Sequence, residues 1–151
     1  MRSVLFLLAL LLPLPAGSQT TTRETIHKHI RIAKAWVRET DEWRTALHVT
    51  IANTGDRADR LVRVATSIAK RVVISDQEGR EADGLSIPGS AEFVIGNGEP
   101  RIELVGLKRR LQAQERFTLL LVFDQAGKIS VDVQVETDAP RGPVRTGGVG
   151  G

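Results

Sequence analysis

Leu47, Val49 and Ile51 alternate with His48, Thr50 and Ala52, the period-two pattern of a half-buried strand. Asn53-Thr54-Gly55-Asp56 follows as a turn: Asn and Asp bond their own backbone and Gly accepts positive φ, so the chain can reverse and begin a second strand at Leu61. The alternation recurs along the chain. The stretch from His27 to Arg38, with Ile30, Ile32 and Trp36 on one side, reads as one extended strand. Leu61–Thr66, Arg71–Asp76, Glu92–Ile95 and Arg101–Val105 read likewise, with Val72 and Ile74 sharing a face. Phe117, Leu119, Leu121 and Phe123 face one way and Leu120 and Val122 the other, so this strand is expected to be buried on both faces. After the turn Asp124–Gly127, Ile129, Val131, Val133 and Val135 alternate with Ser130, Asp132, Gln134 and Glu136, a strand with one wet face.

Between these lie weaker signals. Glu39–Arg44 is a polar loop, in which Trp43 is expected to lid one end of the core, the alternative being an exposed contact. Residues 77–90 read as a long loop or weak hairpin, and 96–100 as a turn. Leu107–Arg116 is the most helix-prone window. About eight short strands split by Gly, Asn and Asp turns imply an all-β Greek-key sandwich or barrel.

The ends differ from this body. Residues 1–18 carry a basic start, the apolar run Val4–Leu12 and small residues after two prolines, the three parts of a secretory signal peptide, with cleavage expected after Ala16 or Ser18. The run is too short to span a bilayer well, so no membrane span is expected after cleavage. No Cys stands at the cleavage point to receive a lipid. Residues 19–28 read as a flexible leader, 29–136 as the folded domain and 137–151, rich in Gly and Pro, as a disordered tail. The protein is expected in the periplasm or outside the cell.

Removing residues 1–18 leaves about 130 residues, enough for one core without staples. Among 151 residues there is no Cys and one Met, Met1 itself, so the processed chain is expected to carry no sulfur. The pI of about 9.8 comes from 21 basic residues interleaved with 18 acidic ones. With aromatics at only 4% no base-stacking platform is available, and nucleic-acid binding is not expected.

The Ala35–Arg38 opening, the strand ending in Asn53–Asp56, the Asp59–Val62 return and Gly106-Leu107-Lys108 together resemble the periplasmic copper chaperones called PCu(A)C, over Ile30 to Val135. The resemblance implies a cupredoxin-like β-sandwich and a role in periplasmic copper handling. It leaves room for only a turn of helix at 107–116. It also implies a Cu(I) site made of a strand-end His, a Met in the following loop and a His-x-Met pair before Gly-Leu-Lys, ligands suited to a soft cation. Here those positions read Ser75, Arg101 and Glu103, and the loop between Ser75 and Arg101 contains neither His nor Met. No cofactor is therefore expected at the family site. Arg101 and Glu103 share a strand face and are expected to pair with each other or with Asp76. As a function, that face could contact a carboxylate or a periplasmic partner protein. The plainer reading is a solvated charge pair over a former metal pocket.

His27-x-His29 is the remaining metal candidate: on an extended strand both imidazoles share a face and could hold copper(II) or zinc weakly. Two surface histidines is the plainer reading. His48 is expected to pack rather than ligate. The absence of Cys and of any Ser/His/Asp spacing for a triad argues against an enzyme.

Overall fold

A computed structural model describes residues 25–96 and 98–137. The signal segment, residues 19–24 of the leader and residues 138–151 of the tail lie outside the described residues. The chain forms β1 (Thr25–His27), β2 (Ile30–Arg38), β3 (Arg44–Asn53), β4 (Asp59–Ala65), β5 (Ala69–Ser75), β6 (Leu85–Ile87), β7 (Ala91–Ile95), β8 (Arg101–Leu107), β9 (Arg116–Phe123) and β10 (Gly127–Glu136).

Strand β3 is the pivot. One edge pairs with β2; the other pairs with β8 through Arg44–Ala46 and with β7 through Val49–Asn53. The order then runs from β5 through β8, β3, β2, β10, β9 and β4 to β6. All neighbours are antiparallel except β10 and β2, which run parallel where Gln134–Glu136 meet Trp36–Arg38. The sheet folds over one core, built as the alternation requires: Leu47, Val49 and Ile51 from β3, Leu119 and Leu121 from β9, and Val131, Val133 and Val135 from β10 are all buried. Each such side chain contributes about 1.5–3 kcal/mol relative to exposure.

The eight strands read from the pattern are present, and two three-residue strands join them. Strand β6 lies in the stretch read as a loop and pairs with β4. Strand β1 lies in the expected leader and pairs with β2, His27 opposite Ile30, so a two-residue turn at Lys28–His29 interrupts the expected extended strand. Lys28 adopts φ 54° there. Residues 107–116 contain no helix; Leu111 is buried and exchanges backbone hydrogen bonds with Thr40. Strand β9 is fully buried on one face only, Leu120 and Val122 being half-buried. Trp43 does not cap the core. It is 58% exposed, with the Arg44 guanidinium 4.9 Å from its ring centroid. The Trp43 carbonyl accepts from the Leu107 N–H, which ties the end of the loop to β8.

Candidate functional site

Three groupings carry polar chemistry. In the first, Ser75 closes β5 and Arg101 opens β8 as direct cross-strand partners, with Val73 opposite Glu103. Opposed residues share a face and positions two apart return to it, so Ser75, Arg101 and Glu103 lie on one face. Arg101 Nη2 lies 2.9 Å from Glu99 Oε1 as an ion pair, and its Nε lies 3.9 Å from Glu103 Oε2. Glu103 Oε1 lies 4.0 Å from Arg44 Nη1. Asp76 is not part of this chain of charges. Its carboxylate accepts from the Arg80 and Glu78 backbone N–H groups and pairs with the Arg80 side chain at 3.3 Å, donors that hold it below the usual carboxylate range. The groups gathered here are a hydroxyl, carboxylates and guanidiniums, hard oxygens beside cations.

The second grouping surrounds Asp59, which the sequence offered only as part of a strand return. Its side chain is fully buried, and its carboxylate accepts from the backbone N–H groups of Arg60, Gln125 and Ala126 and from His29 Nε2, each within 2.7–2.9 Å. Burial alone would push its carboxyl up; the Gln125, Ala126 and Arg60 N–H donors, with His29, outweigh that and hold it below the ordinary value. His29 is therefore engaged on one nitrogen. Beside it a half-open cleft of about 320 Å³ is lined by Gly55, Asp56, Arg57, Ala58 and Gln125. The His27 side chain lies outside the described residues. Among the described residues no three His, Asp or Glu side chains converge as a metal site. A buried Asp is legible beforehand only as an acid at the strand start three residues after the Asn53–Asp56 turn, a weak signal.

The third is His48 on β3, buried and stacked on Trp36 of β2 with centroids 3.8 Å apart and planes 7° from parallel. Gly96 leaves the room: a Cβ there would stand 2.8 Å from His48 Nδ1. Burial, reinforced by Arg38 and opposed by Glu136, lowers the imidazole pKa. His48 packs, as expected.

Residues 30–135 match the family described as “Putative lipoprotein LpqE-like”. The chain belongs to the LpqE-like family. A protein of Leifsonia xyli subsp. xyli described as “Putative lipoprotein Lxx21020” is 27% identical over 131 residues, which span 82% of this chain and 78% of that one. Among solved structures, the apo PCuAC domain of PmoF2 superposes with a TM-score of 0.70 at 26% identity, covering 78% of this chain and 98% of its own. The apo PCuAC domain of PmoF1 does so with a TM-score of 0.71 at 25% identity, covering 78% and 100%. This LpqE-like chain has the cupredoxin-like fold of its structural neighbours, which are PCuAC domains.

Proposed function

We propose that this LpqE-like protein is an exported binding module of periplasmic or extracellular copper handling, not an enzyme, whose PCuAC-type ligand positions do not hold Cu(I) tightly. The observation that carries this reading is the direct pairing of Ser75 with Arg101, with Glu103 two residues on. The PCuAC-like frame is retained where relatives would ligate, while a guanidinium occupies the space and repels a cation. Exchanging thioether and imidazole for carboxylate and hydroxyl removes the affinity for a soft ion.

The test is competition for Cu(I). The processed protein, incubated with Cu(I) and a competing chelator at neutral pH, is expected to emerge copper-free; tight retention would overturn the reading. In the same experiment, Cu(II) or Zn(II) titrated into the wild type and into a His27→Ala/His29→Ala variant measures the weak site these residues offer. Asp59 already occupies His29 Nε2, which leaves Nδ1 alone for a metal. Equal affinities in the two proteins would exclude the pair.

A second reading is a protein-contact role for the Arg101/Glu103 face. It is favoured by the continuous alternation of charge from Glu99 through Arg101 and Glu103 to Arg44.

A further inference from the structure

The outer face of the β3–β8–β5 wing extends well beyond Arg101 and Glu103. The register opposes Arg44, Val105 and Arg71 in one row, Ala46, Glu103 and Val73 in the next, and Arg101 and Ser75 in a third. Arg44 and Arg71 flank Val105, which is only 7% exposed. Trp43 precedes this row at the rim, with the Arg44 guanidinium over its ring. Exposed Lys70 lies against the Gly106 bend, where a Cβ would stand 2.9 Å from its own, and Lys108, tied by Nζ to the Ser67 carbonyl, borders it.

The charges on this face do not cancel. Glu99 and Glu103 are shared between Arg101 and Arg44, while Arg71, Lys70 and Lys108 have no carboxylate partner among the described residues. The neighbouring loops neutralise themselves, Arg110 with Asp41 and Arg109 with Glu115. Glu42 beside Trp43 and the exposed Glu81, bridged to Ser75, are further acids at the rim. Trp43 and Val94 are the only large hydrophobic side chains exposed among the described residues, and Trp43 stands at this cationic rim. An exposed Trp braced by an Arg, with more Arg and Lys around it than acid, has the composition of an interface centre.

From this placement we infer that the wing docks an acidic segment of a partner protein, with Trp43 as its apolar anchor and Arg44, Arg71, Lys70 and Lys108 as its electrostatic frame. The inference rests on the protein-contact reading of the Arg101/Glu103 face and enlarges it. Complementary charge would steer the encounter and set its salt dependence, and Trp43 would lose solvent on docking.

The probe is a fluorescently labelled twelve-residue peptide rich in Asp and Glu with one central Leu, titrated by anisotropy into the whole processed protein without copper. Wild type is expected to bind, with affinity falling as salt rises. Trp43→Ala and Arg71→Glu are each expected to weaken binding about tenfold. Arg63→Glu, an exposed cation of β4 outside the wing, is expected to have no effect, and circular dichroism checks that every variant is folded. Equal losses from Arg71→Glu and Arg63→Glu would reduce the effect to net charge and overturn the proposal, as would no binding by wild type. Binding lost only in an Arg101→Glu/Glu103→Arg variant would leave the smaller contact site standing and refute the wider one. Vesicles of anionic lipid that shift Trp43 emission while the peptide does not bind would identify a membrane surface instead. None of these outcomes depends on copper retention.

Discussion

At the scale of single residues, His48 shows how a titratable group can serve packing. Its ring lies flat on Trp36 and is kept from water, so the neutral form is favoured in the folded protein. The unfolded chain takes up its proton near the ordinary value of 6.5, before the folded chain does. Its contribution is therefore complete above that pH and is lost as the pH falls through 6.5 toward the lower folded value. Denaturant midpoints at pH 7 and pH 5 are expected to differ more for wild type than for His48→Phe, which keeps the stack and removes the proton; comparing two otherwise identical proteins cancels every shared group. The same midpoint difference in both would show that His48 titrates as it does in the unfolded chain. The sequence placed His48 correctly as a packed residue, because a mid-strand position between apolar neighbours leaves little else. Trp43 went the other way, since nothing local says which side of the sheet edge a loop will take.

At the scale of elements, Asp59 ties two turns to the start of β4. It fastens the β9–β10 turn through Gln125 and Ala126, the start of β4 through Arg60, and the β1–β2 turn through His29. Asn53 does related work nearby, its amide donating to the carbonyls of Arg57 and Ile87 and its oxygen accepting from Gly55. Asp59→Asn replaces one accepting oxygen with an NH₂ facing backbone donors, and leaving such donors unpaired costs about 1–3 kcal/mol each. Urea unfolding at pH 7 is expected to show a loss of about 2–3 kcal/mol. The wild-type advantage is present above the ordinary carboxyl value of 3.8 and disappears as the pH falls through the lower folded value. A loss below about 0.5 kcal/mol would mean that the tie is dispensable.

At the scale of the molecule, the PCuAC-like frame can be tested apart from the side chains it carries. The β5–β8 ladder still sets Ser75 against Arg101, whatever side chains those positions carry. Ser75→His, Arg101→His and Glu103→Met together are expected to give the domain measurable Cu(I) retention against a chelator that strips the wild type. A folded triple variant with no gain would show that these positions do not converge as they do in copper-binding relatives.

Eight strands and the class of fold were written in the sequence, because period-two burial is a local property of the chain. The parallel contact of β10 with β2, the short strands β1 and β6, the buried Asp59 and the exposed Trp43 were decided only by the tertiary structure. Three residues are too few to display a period, and a parallel pairing joins segments nearly a hundred residues apart. Whether a carboxylate is buried or a Trp left in water depends on which backbone groups and walls the rest of the chain brings to it.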